Sequence, residues 1–280
     1  MRMARLMVAA ASMVTVASVA GGQMNGSETA PPKLLVLVYQ RFAFEKAAEI
    51  DQWEIGAARA CQGLDVPNSW IVMDSVTGEP EALSFDPFDS FEQMEKPVAE
   101  WGAIYAAHPE LGRLQGQIMA ALTSQRTVIA VRRDDLSYRA PRIDLSKARF
   151  MRVLEVRLHP GRENDFAEAF EKLSAAYEKA QSDLPWVVYQ VNLGTPSPTF
   201  LAFVPMRAVG QNDDLLQSHA KVLAAEGDAA ERMQQIAREA YVSMESNLYA
   251  IKPEKSHVTA GFAAGDLEFW GARGTGTRPK

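Results

Sequence analysis

One cysteine, Cys61, in a chain of 280 residues leaves no partner for an intramolecular disulfide. It stands behind Ile50 and Ala57 at helical spacing, where a lone thiol reads as a core residue rather than a reactive one. There are four histidines, no HExxH, no paired cysteines and no cluster of histidine with close carboxylates, so a dedicated metal site has little support. A GxSxG elbow, a phosphate-binding glycine loop and a dinucleotide fingerprint are missing too. The glycines of the closing "GARGTGTRPK" lack the strand and helix that such a loop needs, and this stretch reads as a flexible tail. Lysine and arginine form no cluster and the net charge is -6, which removes the electrostatic footprint of a nucleic-acid partner. What remains is ordinary folded protein: 47% hydrophobic and 23% charged residues argue against both disorder and a membrane bundle.

Long apolar runs are also scarce, with one exception at the start. "MRMARLMVAAASMVTVASVA" carries Arg2 and Arg5, then an uncharged run of roughly 15 residues, then Ser18 and Ala20 in cleavage-site spacing. The run is shorter than the roughly 20 residues of a spanning helix. Residues 1–20 are therefore expected to be a secretory signal peptide, followed by a leader, 21–32. The mature protein is expected to be exported, periplasmic or secreted, without a stable membrane anchor.

The body of the chain is written twice. At an offset of about 116 residues, Arg41 of "LLVLVYQRF" falls on Arg157 of "MRVLEVRLH", and Trp70 of "PNSWIVM" on Trp186 of "LPWVVY". "SFDPF" then meets "AFVPM", so that Phe85 aligns with Phe203 and Pro87 with Pro205, and Trp101 of "WGAIYAAH" aligns with His219 of "HAKVLAAE". Within each copy a strand of period two (34–41, 151–158) precedes a helix with apolar residues at three and four spacing. Two strands joined by the Gly- and Pro-bearing turns "SVTGEP" and "NLGTPSP" follow, then a second helix (110–123, 228–243) and a closing strand (126–132, 246–252). The order is β-α-β-β-α-β, twice, the ferredoxin-like motif. One such unit leaves a sheet face bare, and a second copy in the same chain supplies its cover.

The strand, the Pro160-Gly161 break and the Phe-containing helix of "LEVRLHPGRENDFAEAF", with the repeated Trp70 and Trp186 strands, resemble the dimeric α/β-barrel superfamily in a fused two-repeat form. The resemblance implies an α+β fold: two ferredoxin-like repeats packed sheet to sheet, repeat 1 over 33–133, a polar linker over 134–149, repeat 2 over 150–252 and a tail over 253–280. That superfamily includes antibiotic-biosynthesis-type monooxygenases, stress-response proteins and haem proteins of the chlorite-dismutase kind, so it specifies fold far better than function. Single-repeat relatives obtain by dimerising the pairing that duplication provides here, so the sequence sets no oligomeric state.

Alternation in the opening strands directs the reading of the site. If Leu154, Val156 and Leu158 pack under the helices, then Met151, Val153, Glu155 and Arg157 face the space between the sheets; in the first copy Leu35, Leu37, Tyr39 and Arg41 do so. Tyr39, Arg41, Glu155 and Arg157 are thus expected to line an incompletely packed cleft, with Trp101 and His219 at its border. Solvated strand ends, or a structural ion bridge between the sheets, are the competing readings, because an inward charge must be paired or wet. The leading function is binding of a small aromatic or anionic ligand in that cleft, without a cofactor. The alternatives are a cofactor-independent monooxygenase using His219 or Glu155 as base, a haem-binding barrel with His219 as axial ligand, and a purely structural repeat protein. His108 and His159, each before a proline, read as surface residues. Phe262, Phe269 and Trp270 make the tail a docking element, over a barrel end or a sheet edge.

Overall fold

The computed structural model describes residues 28–225 and 227–271. The expected signal segment 1–20 lies outside the described residues, as does most of the leader. No described helix is long and apolar enough to cross a membrane.

The period-two pattern of "LLVLVYQRF" becomes β1 (Leu34–Phe42), with Leu35, Leu37 and Tyr39 in the barrel core and Val36 and Val38 on the outer side. The chain continues through α1 (Ala47–Ala60), β2 (Ile71–Ser75), β3 (Glu81–Phe88), α2 (Glu95–Ala107), α3 (Pro109–Ala121) and β4 (Leu122–Tyr138). The same order returns in β5 (Phe150–Leu158), α4 (Glu163–Lys179), β6 (Trp186–Leu193), β7 (Thr199–Met206), α5 (Gln211–Ala225), α6 (Gly227–Ala240) and β8 (Tyr241–Ile251). Two short helices, α7 (Ala260–Ala264) and α8 (Leu267–Trp270), end the described chain.

Each half carries two helices where one second helix was expected. Pro109 explains the break in the first half: it has no N–H to give and opens α3 immediately after α2 ends at His108. The closing strands are longer than expected. Tyr241, inside the span read as helix, instead pairs with Leu158, and β8 starts there.

The eight strands form one closed antiparallel barrel in the order β1-β3-β2-β8-β5-β7-β6-β4. The two halves share a register: Leu37 pairs with Phe85 as Val153 pairs with Phe203, and Ile71 pairs with Phe85 as Val187 pairs with Phe203. Strands of the two halves lie on opposite sides of the bore. They are also joined edge to edge, β2 to β8 at Met73↔Ile251 and β4 to β6 at Val131↔Gln190, so closure supplies partners for strands that would otherwise be edges. Side chains from both halves fill the bore, among them Leu37, Met73, Leu83, Met151, Leu201 and Phe203, as an eight-stranded barrel permits.

The segment 134–149 is not the polar linker expected. Strand β4 runs to Tyr138, and Ile143, Leu145 and Ala148 are buried beneath the barrel, where the bore's apolar end has to be covered. The aromatic tail covers the same end. Phe262 and Trp270 meet edge to face at 5.1 Å, Trp270 donates its indole N–H to the Ser146 carbonyl at 2.8 Å, and Arg149 lies 3.8 Å from the Phe269 ring centroid. Gly265 sits where any Cβ would strike the Ser146 side chain, so a larger residue would lift the tail.

Upstream, Lys255 anchors the tail to the first half. Only 3% exposed, it places Nζ 2.5 Å from Asp51, 2.9 Å from Glu54 and 2.8 Å from Asp74. These carboxylates are close enough together to hold a metal ion, and the ammonium stands at their centre. Removing it leaves three carboxylates facing one another with Glu54 buried, a change of about 3–5 kcal/mol. Lys255→Met should therefore destabilise the protein by that amount in urea unfolding, whereas a loss below about 1 kcal/mol would mean that the acidic side chains simply turn to solvent.

Candidate functional site

The inward charges of the opening strands gather at the barrel end where β1 and β5 finish. Arg126, at the start of β4, forms a bidentate pair with Glu155 of β5 at 3.0 and 2.9 Å, and its guanidinium lies 4.3 Å from the Tyr39 ring centroid. Tyr249 of β8 donates its hydroxyl to Glu81 at 2.8 Å, and Glu81 also accepts from Arg41 Nε at 2.9 Å. Each half thus lends one group to an acid or base of the other. Tyr39 is buried with its hydroxyl unpartnered, and burial holds its ionisation well above the ordinary tyrosine value.

Tyr39, Glu155 and Arg41 come together at this end, above apolar side chains of the bore; Glu155 is paired across the halves and Arg41 within its own. Arg157 is exposed at the rim and makes no ion pair with a described residue. Arg126, which forms the cross-half pair, was not singled out in the sequence; its partner lies in the other half and only barrel closure brings them together.

Trp101 belongs elsewhere, on the outer side of the first half. Helix α2 leans on α3 and buries only Pro97, so the sheet beside it is incompletely covered: Val36, Val38, Ser84 and Asp86 are all half-buried. Trp101 donates its indole N–H to Asn68 Oδ1 at 2.8 Å, and Asn68 Nδ2 donates to Asp86 at 3.1 Å. Tyr105 lies 5.3 Å from Trp101, Trp70 lies 6.1 Å away, and His257 stacks on Trp70 at 4.9 Å. Asp86 has only the Asn68 amide as partner and no charged neighbour acting on it. Burial alone pushes its carboxyl up to about 7.

The corresponding place in the second half is apolar. Register equates Asp86 with Val204, and the Trp70/Trp186 alignment equates Asn68 with Leu184; Val204 packs against the second-half core and Leu184 is buried. The architecture does not require a carboxyl there. Asp86 was visible in the sequence as the odd residue of "SFDPF" against "AFVPM", between two aligned pairs, and the expected site residues passed over it. His219 lies in α5, and its side chain is outside the described residues.

The remaining histidines lie exposed or have local partners. His108 contacts Glu110 at 3.3 Å on the surface, His159 is exposed in its turn, and the His257 ring lies flat on an indole. Cys61 is buried, and burial raises its thiol to about 11, in keeping with a core residue. Asp86 is thus a carboxyl that burial raises to about 7, joined through Asn68 to Trp101, with Trp70 and Tyr105 packed beside that indole.

No family model matches the chain, and no curated protein matches it. Solved structures do. An anthrone oxidase-like protein is 13% identical and superposes with a TM-score of 0.54 over 78% of this chain and 91% of its own. A proposed monooxygenase from Fusobacterium nucleatum is 8% identical, with a TM-score of 0.51 over 81% of this chain and 95% of its own. A proposed chlorite dismutase aligns at 0.46, too low to carry an argument. At these identities the likeness is one of fold: this chain has an α+β fold with a closed eight-stranded antiparallel barrel, similar overall to these two structures.

Proposed function

We propose that the protein acts on a small, electron-rich aromatic molecule held in a recess beside Asp86 and Trp101 on the outer side of the first half, with Asp86 as its proton acceptor. The observation that carries this reading is a solitary carboxyl kept among indoles in one half, where the other half has valine. An isolated carboxylate in apolar surroundings is destabilising unless a ligand or proton meets it, and a carboxyl titrating near neutrality is suited to general-base work. Proton removal from a ring carbon activated by a phenolic or similar group leaves the electron pair on the ring, which reduces dioxygen to a ring peroxide; O–O cleavage with loss of the second hydrogen leaves one oxygen as a carbonyl and releases the other as water. This is the cofactor-independent monooxygenase type of reaction. The fold shared with an anthrone oxidase-like protein is compatible with it and no more. Trp70, Trp101 and Tyr105 would stack on the ring, and Asn68 would orient the carboxyl.

The two halves are read as a fused tandem duplication in which one recess kept polar residues and the other became core; shared register and strand order support this. Export after cleavage of residues 1–20 belongs to the same reading, on the strength of the opening segment. A protein that only binds such a ligand is the second reading, favoured by the aromatic walls.

A panel of hydroxylated polycyclic aromatics, followed by tryptophan quenching and by dioxygen uptake, tests this reading. Quenching with uptake is expected, with kcat/KM rising up to about pH 7 and level above, and Asp86→Asn should lower it by about 100-fold or more. Quenching without uptake selects the binding protein; uptake unchanged by Asp86→Asn overturns the role of Asp86.

Stability gives an independent measurement. Because the folded-state pKa of Asp86 is raised from 3.8 to about 7, its proton favours the folded state, and that contribution is complete below the unfolded value and lost as pH rises to about 7. The Tm of Asp86→Asn relative to the parent should climb across this window and then level off. A difference independent of pH would show that the carboxyl titrates normally.

A further inference from the structure

The opposite face of β3 has different surroundings. A cavity of about 430 Å³ opens at the end of the barrel away from the Arg126–Glu155 pair. Its inner wall is Ile71, Phe85 and Phe88, and its cover comes from three segments outside the strands: Pro31 and Pro32 of the leader, Leu145 of the connection between the halves, and Val258 and Phe262 of the tail. The cover is tied together. Leu145 N–H donates to the Thr29 carbonyl at 2.8 Å, Tyr189 donates its hydroxyl to the Pro32 carbonyl at 2.8 Å, and Thr259 donates to the Glu28 carboxylate.

The volume falls within the range of small-molecule sites, and burial of a ligand body against these aromatic and aliphatic walls is favourable at about 25 cal/mol per Å² of apolar surface. The polar groups around the cavity indicate what kind of ligand. Arg132 gives Nε to Asp134 at 2.7 Å and another N–H to the Pro31 carbonyl; Glu28 is met by Thr259, and Gln93 accepts from the Asp89 N–H at 2.9 Å. Among the described residues, no buried side-chain polar atom of this lining lacks a partner. The remaining charges of the lining, Lys33 and Asp89, are of opposite sign and leave no net field of one sign, so a charged ligand gains little there while losing hydration, whereas an uncharged apolar one need break none of the pairs.

We infer that this barrel-end cavity is a binding site for a neutral, largely apolar small molecule with a bicyclic or tricyclic body, separate from the Asp86 recess. The site requires nothing of Asp86, because Phe85 and Asp86 point to opposite faces of the strand.

The neutral fluorophore N-phenyl-1-naphthylamine serves as the probe, with fluorescence titration and thermal unfolding as readouts. The full chain should bind one equivalent with a blue shift and a raised Tm, since a ligand taken up only by the folded state stabilises it. Val258→Trp, which fills the cavity from the tail side, should weaken binding at least tenfold, and Ser69→Trp, on another wall, should do the same should the first variant not fold. Asp86→Asn and Trp101→Ala should leave the affinity unchanged. Absence of binding, equal binding by both filled variants, or loss of binding in the recess variants would each overturn the assignment. Failure of the Asp86 chemistry would leave it standing.

Discussion

A four-stranded antiparallel half-sheet with helices on one side has two unsatisfied edges and one bare apolar face, and the rest of this molecule follows from satisfying them together. Hydrogen bonding β2 to β8 and β4 to β6 provides for edges, while side chains from both halves meeting in the bore cover the faces. Once the barrel closes, the inward positions nearest its ends can no longer be apolar throughout. One end carries a cross-half ion pair and a cross-half tyrosine–carboxylate hydrogen bond, and the other is covered by buried non-strand segments and an aromatic tail.

Closure also explains which features were legible in the sequence. The inward or outward sense of each opening strand depends only on alternation within a few residues, so Leu35, Leu37, Met151 and Val153 could be placed in the bore from the sequence. The common order of elements and the docking of Phe262 and Trp270 were legible for similar reasons: periodicity is local, and large aromatics seldom stay in water. Partners across the barrel were not. Arg126 meets Glu155, and Lys255 meets Asp51 and Asp74, only through register and closure, and no short-range pattern encodes these. The Pro109 break was visible as a helix start, but that a full helix precedes it depends on packing of α2 against α3.

Asymmetry between the halves is more informative than their likeness. In both, an indole stacks on a ring from the segment that follows or ends the closing strand, Trp70 on His257 and Trp186 on Tyr138, at 4.9 and 4.7 Å. Around this shared feature the second half packs Leu184 and Val204, while the first carries Asn68 and Asp86. A fold that needs both halves for closure needs only one of them fully packed on its helical side, and the less complete cover of α2 leaves the polar pair within reach of solvent.

The position of β8 has a consequence for the order of events during synthesis. It is the last strand to leave the ribosome and the one that links β2 to β5, so until it emerges the chain can form at most an open, curled sheet with both terminal strands unpaired. Domains generally assemble from the N-terminus as they are made, and exposed edges of this kind invite association with other chains. During elongation the strands of both halves are thus made well before the one that closes them into a ring, so closure is a late event for this chain.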